Sequence, residues 1–366
     1  MTPPFVALAA KLKSLAREMG FSGLGIAAPD PGEAARQALS SWVASGMAGE
    51  MDYMAKTLQC RAHPQAFFPG ARSVVMARLD YWPFAQNAIS VLKDPEKAYI
   101  SRYALGRDYH KVMRKKLLRL AKTLGEMASG SRVFADSAPV MEVALAKAAG
   151  LGFVGKHSLL IHPRRGSLYF LGGFLTTLPL PPDTAQGKTF CGSCRRCIAH
   201  CPTGAIVSPQ VVDARQCISY LTIEHKTAIP ENLRRPLGNR IFGCDDCQLV
   251  CPFNKFARKT QEKDFSPRHG LDAAPLAWLF SWDEKTFFEK TEGSAIRRIG
   301  YGRWLRNIAV ALGNGPFSLE VKKALLSRAR HPLDLVREHA RWALDALGQG
   351  RKNLSLPIVS TKDRLL

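Results

Sequence analysis

Eight of the nine cysteines in this 366-residue chain fall between Cys191 and Cys251. The first group reads Cys191-x2-Cys194-x2-Cys197-x3-Cys201-Pro202, Cys217 follows alone, and the last group reads Cys244-x2-Cys247-x3-Cys251-Pro252. This is the spacing of a bacterial two-cluster ferredoxin, in which the cysteine before proline at the end of each run ligates the other cluster. The count closes without remainder. Cys191, Cys194, Cys197 and Cys251 serve one 4Fe–4S cube, while Cys201, Cys217, Cys244 and Cys247 serve the other. The second run lacks a leading cysteine, and Cys217 supplies the missing thiolate. Zinc is the rival reading, but it favours two well-separated CxxC pairs. A disulfide framework is at odds with a reducing compartment. Soft thiolates on a short loop suit iron–sulfur chemistry. Cys60, alone in CRAHP, reads as an inert thiol.

Composition bounds what surrounds the clusters. With 46% hydrophobic and 22% charged residues, the chain can bury a sizeable core and is expected to form two or three domains. No run approaches the roughly 18 to 20 apolar residues of a membrane helix. The N-terminal segment is amphipathic rather than a cleavable leader. A cytoplasmic monomer with no membrane contact is the expectation. The net charge is +22, divided as +12 over 186–366 and +10 over 1–185, so an anionic partner would meet a broad basic face. Nucleic acid is the usual reason for such a balance.

Periodicity divides the chain further. Leu8, Leu12, Leu15 and Met19 make residues 5–19 a surface helix, and 33–45 repeat the pattern. RSVVMARLDYW reads as a buried strand, a long helix runs from about Asp108 to Met127, and SRVFAD is a strand ending at Asp136. Pro139 is placed in the first turn of the next helix, and SLLIHPRRGSLYFLGGFLTT reads as a hairpin turned at 163–166. Strands mixed with helices, without a βαβ rhythm, give an α+β class. Three segments result: a catalytic domain over 1–185, a cluster module over 186–264 and a helical domain over 265–366. In the last, Arg306–Gly313 and Arg341–Gly348 resemble each other at an offset of 35 residues. That fits either a HEAT-like pair or two ordinary amphipathic helices. Gly23-x-Gly25 is too sparse for a phosphate loop.

The cluster segment with CISYLTIEHK, together with ISRYALGRDYHKVMRKKL, FADSAPVMEVALAKAAGLGFVGKHSLLI and the RxxPxxxxPGARSVV form of Arg61 to Val75, closely resembles the epoxyqueuosine reductases. The resemblance covers about residues 5 to 260 and extends into the helical tail. It implies a cobalamin-dependent enzyme that reduces epoxyqueuosine to queuosine at the wobble position of a tRNA, which also accounts for the charge. It implies electrons passing singly from an external low-potential donor through two clusters to cobalt. By position it makes Asp136 the proton donor and Arg61 a cobalamin contact. It brings Lys156, His157 and Ser219 near the corrin, and puts Asp245 and Asp246 where cluster and cobalamin meet. Tyr109 and His110 match a motif near the active site, although a core histidine reads as well.

Some readings stay open at this level. Asp136 can be a general acid, its pKa raised by burial, or a helix cap, its pKa lowered. Arg297, Arg298, Arg303 and Arg306 are either a tRNA contact or a solvated helix face. Asp108-Tyr109-His110 lacks the glycine of DxHxxG, so cobalt is expected without a protein histidine below it. Rival classes are a cobalamin-dependent reductive dehalogenase and a ferredoxin-like carrier or RNA-binding protein. Dehalogenases usually carry a twin-arginine leader, and the first 30 residues hold only Arg17 among arginines.

Overall fold

An eight-residue run with apolar residues on both sides of its pleat must be covered on both faces, and Ser73–Asp80 meets that demand. In the computed structural model, which describes residues 3–353 apart from 129, 186 and 188, it is β2 of an antiparallel sheet. Gly23–Ala27 (β1), Ser131–Phe134 (β3) and Tyr169–Thr176 (β4) complete the order β1-β2-β4-β3. Successive side chains alternate faces. Val75 and Ala77 therefore join Ile26 and Phe174 on one side, while Val74 and Met76 join Phe134 and Leu175 on the other. Pro3–Glu18 (α1) and Tyr109–Ala121 (α2) cover the first side with Leu12, Leu117 and Leu120. Glu142–Ala148 (α3) covers the second with Leu145 and Ala146. A Cβ on Gly25 would lie 2.0 Å from the Ala149 carbonyl oxygen, so that glycine lets the end of α3 approach β1.

Three sequence expectations need correction. The helix read to Met127 is α-helical only to Ala121; a 3-10 stretch, Lys122–Met127, follows and is broken at Gly125 (φ +56), a conformation glycine adopts cheaply. Pro139 does not open α3, which starts at Glu142. The chain before it makes tight turns, with the Ser137 and Val140 N–H groups donating to the Ala135 and Ala138 carbonyls. The hairpin over 158–177 is not formed as one unit. Its turn exists, His162 N–H donating to the Gly166 carbonyl at 2.8 Å, but Leu160–Ile161 pairs with Phe153–Val154. Both edges of β4 are already taken by β2 and β3.

The Pro-rich stretch near residue 185 is pinned rather than free. Asp183 exchanges hydrogen bonds with the Ile26 backbone and pairs with Lys13. Arg240–Phe242 runs parallel to Tyr99–Ile100, tying the cysteine-rich segment to the N-terminal part. Gly300–Asn314 (α4) and Asp334–Asn353 (α5) carry the two similar segments and pack together through Trp304, Ile308, Ala340 and Ala343. Residues 354–366, the end of the segment read as helical, lie outside the described residues. No helix among the described residues is long and apolar enough to cross a membrane.

Candidate active site

Asp136 follows β3 in a left-handed backbone conformation (φ +54). The turn aims its carboxylate at α2. Oδ2 accepts from the Tyr109 hydroxyl at 2.5 Å and lies 3.1 Å from His110 Nε2, while His110 Nδ1 lies 2.7 Å from Asp108 Oδ1. Asp108 is the N-cap of α2 and also accepts the His110 N–H, which fixes where the ring starts. Tyr109 stacks on Phe170 at 4.1 Å and on His110 at 4.1 Å. Burial works against a charge on His110, but the hydrogen bonds and charges of Asp108 and Asp136 outweigh it and raise its pKa to about 9. Burial likewise opposes a charge on Asp136, yet His110, Tyr109 and the more distant Arg298 hold its carboxyl below the usual range.

The proton of this pair therefore sits on the imidazolium at neutral pH. An Asp136 carboxyl raised toward neutrality is not found in this arrangement, because a cation and a hydroxyl both stabilise its anion. The cap reading also fails. Met141 precedes α3, and the Asp136 side chain bonds Tyr109 and His110 instead of helix N–H groups. A third carboxyl was not legible in the sequence. Glu142 Oε1 accepts the Asp136 N–H at 2.6 Å, and burial together with repulsion from Asp136 raises its pKa to about 8. Six residues separate the two, a spacing with no helical meaning, since the chain between them turns twice.

Asp136 and Tyr109 form one wall of an open cavity of about 560 Å³, and Cys201, Cys217, Cys244 and Cys247 lie on its lining as well. Apolar side chains, among them Leu159, Leu160, Leu171 and Ile218, fill the walls between. Burial drives most of these thiols high, and their mutual repulsions show which ones face each other. Cys251 feels Cys191, Cys197 and Cys194; Cys217 feels Cys201; Cys247 feels Cys217, Cys197 and Cys201, so it lies between the two expected sets. Of the two sets expected from the spacing, only the second, Cys201, Cys217, Cys244 and Cys247, lines the cavity. No three His, Cys, Asp or Glu among the described residues stand close enough for a single metal ion. A cube of four irons spreads its thiolates wider.

The other predicted residues divide. His157, Ser219, Asp245 and Asp246 are on the cavity wall. His157 Nδ1 accepts the Leu159 N–H, and its buried Nε2 has no partner. Burial lowers its pKa to about 4, so the neutral ring presents an N–H donor at Nε2. Lys156 points away, its Nζ donating to the Gly192 and Cys194 carbonyls at 2.7 and 2.9 Å. Arg61 is not on the wall either. It bonds Thr57, and its charge reaches Asp136 and Glu142 only at a distance. Asp245 is buried and filled by three donors, Tyr99, Ser101 and the Arg102 N–H. Asp246 takes Arg240 and the Cys244 thiol.

Among the arginines, Arg306 corrects the expectation outright. It is 0% exposed and donates to the carbonyls of Leu221, His225 and Thr227, so it staples α4 to the cysteine-rich segment and cannot meet RNA. Arg303 is half-buried on the Ile223 and Ile299 carbonyls. Arg298 pairs with Glu224 at 2.7 Å on the cavity rim, and Arg297 is exposed over Phe288. Cys60 lies outside the cavity lining.

A double-cysteine module beside a cavity that holds a proton-bearing imidazolium–carboxylate pair defines an iron–sulfur oxidoreductase. Residues 190–254 match the family described as a 4Fe–4S double cluster binding domain, and residues 61–137 match epoxyqueuosine reductase QueG. The epoxyqueuosine reductase of Pseudomonas aeruginosa is 50% identical over 352 residues, covering 95% of this chain and 97% of that protein. That of Escherichia coli K12 is 49% identical over 340 residues, covering 92% and 89%. Among solved structures, an epoxyqueuosine reductase with a tRNA-Tyr epoxyqueuosine-modified stem loop superposes with a TM-score of 0.85 at 28% identity, covering 93% of this chain and 90% of that one. A Bacillus subtilis enzyme whose catalytic aspartate loop is swung out of the active site gives 0.82 at 28% identity, with the same coverage. The chain belongs to the epoxyqueuosine reductases.

Proposed function

We propose that the cavity takes the epoxide-bearing nucleoside at the wobble position of a tRNA and reduces it to the alkene of queuosine. The observation that carries this is the meeting, in one cavity, of the second group of thiols with the Tyr109–Asp136–His110 set. The reaction needs two electrons and two protons. Both epoxide C–O bonds break, the oxygen leaves as water, and a carbon–carbon double bond forms. Cys191, Cys194, Cys197 and Cys251 would hold one 4Fe–4S cluster, and Cys201, Cys217, Cys244 and Cys247 the other, the donor set being all thiols as such clusters require.

The cavity also fits cobalamin. Its walls are apolar, and the unpartnered His157 Nε2–H and the Ser219 hydroxyl offer donors to a large amide-rimmed ring. Bound there, cobalamin supplies strongly reducing, nucleophilic cobalt fed by single electrons from the clusters. His110 has both ring nitrogens committed to carboxylates.

The chain's own work is with protons. His110 Nε2–H points at Asp136 Oδ2, and the Tyr109 hydroxyl steadies the same oxygen. As charge grows on the epoxide oxygen, the proton that His110 holds passes to it through Asp136, and a second proton, taken up by His110 from solvent, follows the same route as the oxygen leaves as water. Electrons enter at the first thiol group, whose loop residues Gly192, Ser193, Arg195 and Arg196 are exposed, from a donor that is a separate protein. Arg298 at the rim and the exposed Arg297 beside it contact the RNA, with α4 and α5 behind them as a HEAT-like pair. The test is anaerobic reconstitution with iron, sulfide and cobalamin, then turnover on tRNA bearing epoxyqueuosine. Failure to form queuosine in the fully loaded enzyme overturns the reading.

A further inference from the structure

Asp136 is the centre of a three-residue turn. Ser137 N–H donates to the Ala135 carbonyl at 2.7 Å, and φ at Asp136 is +54. This is the rare, strained hand of such a turn, and non-glycine residues held this way persist only when their surroundings over-determine them. Two elements do so. From α2, Tyr109 and His110 hold the carboxylate. From α3, Glu142 holds the backbone, accepting the Asp136 N–H at 2.6 Å. The carboxylate ties alone compete with water, since the Asp136 side chain is 54% exposed on the cavity wall.

We infer that Glu142 is a positioning residue that latches the turn carrying Asp136, acting as acceptor for the Asp136 N–H and not through its charge. The role of the latch in turnover rests on the proposed function above, but the latch itself does not. Three features support the acceptor role. The contact is to a backbone N–H that no strand or helix satisfies, because β3 ends at Phe134. An unpaired N–H at that point and the strained φ would both favour release of the turn. Finally, a second full negative charge beside Asp136 would repel it, and the raised pKa of Glu142, about 8, leaves the carboxyl neutral at pH 7. A neutral carboxyl still accepts through its carbonyl oxygen.

The latch can be read without cofactor or RNA, through the NMR titration of His110. The ring bonds two carboxylates, Asp108 on its own helix and Asp136 across the cavity, stacks on Tyr109 and feels Glu142 at longer range. If Asp136 swings away, Asp108 is the carboxylate still bonded to the ring and the His110 pKa drops by roughly 1 unit, the scale of one lost opposite charge. Asp136→Asn sets that lower limit. Glu142→Gln keeps the acceptor oxygen and is neutral, as Glu142 is at pH 7, so the turn stays latched and its His110 stays above the Asp136→Asn limit. Glu142→Asp keeps a carboxyl but is one methylene too short, so its His110 falls to the Asp136→Asn limit, as it does in Glu142→Ala. An Asp variant that titrates as the parent, or a Gln variant that falls to the limit, overturns the inference. The Gln and Asp variants decide it even if Ala does not fold. If the titrations come out as expected while Asp136→Asn turns over normally, the latch stands and the catalytic reading of Asp136 falls.

Discussion

The two groups of thiols look alike in sequence and differ in what surrounds them. The first lies under an exposed skin: Phe190 and Phe256 are 50% and 46% exposed, and Arg195, Arg196, Lys255 and Arg258 are exposed beside them. No acidic residue occurs between Thr189 and Val212 or between Cys247 and Thr260. The second group faces inward. Cys201, Cys217, Cys244 and Cys247 share the cavity with Asp136, and Cys244 is backed by the Asp246–Arg240 pair. Ligation is thus a matter of spacing, but direction is a matter of burial. A cluster at the surface would be placed to receive electrons, and one at the cavity to deliver them.

The largest effect that would sharpen this contrast is Cys217→Ala. One cluster should vanish and turnover with it, while the other keeps its iron and its electron paramagnetic resonance signal. Two unchanged cluster signals would break the division into four and four. Next comes Asp136→Asn on the delivering side. Both clusters, cobalamin and tRNA affinity should remain while turnover falls by roughly 10² or more, and a near-normal rate would remove Asp136 from the chemistry.

The pH dependence is smaller over the ordinary range. His110 has a folded pKa raised from 6.5 to about 9, so its contribution to stability is complete below about pH 6.5 and is lost as pH rises through about 9. Turnover, followed between pH 7 and 10, should decline over the same upper limb, and a flat profile to pH 10 would place the proton elsewhere. On the side expected to receive electrons, Arg195→Glu with Arg196→Glu should raise the KM for an acidic low-potential donor protein about tenfold. Turnover with a small chemical reductant should stay the same, as expected for charges that steer encounter. The smallest effect concerns RNA. Arg297→Ala with Arg298→Ala should lower the salt slope of tRNA binding by about 1 to 2. Arg306→Leu should leave that slope unchanged and lower stability by about 3 kcal/mol in urea unfolding, through stranded carbonyls.

What the sequence revealed depended on whether the signal was local. The strand Ser73–Asp80 and the N-terminal helix were legible because periodicity is a property of neighbours. So were the thiol spacings, since each run of cysteines is itself a local pattern. Glu142 was invisible because its meaning depends on a turn that brings an oxygen back across six residues. Arg306 was misread because charge in a sequence carries no burial. Within a run of four arginines, the fold turned one into a core staple, seated one on backbone carbonyls, left one on the cavity rim and one exposed over Phe288.

By itself the sequence determined the donor set, eight thiols in a two-cluster spacing, because chelation within a short loop is fixed by the number of intervening residues. It also determined the basic balance that a folded RNA would meet. Only the tertiary structure decided which thiols face the chemistry and that the proton beside Asp136 rests on His110. It also decided that the Asp136 backbone is held from α3. Those are consequences of burial, of charges brought together from distant segments and of one strained turn, and burial and long-range charge are set only when the chain closes on itself.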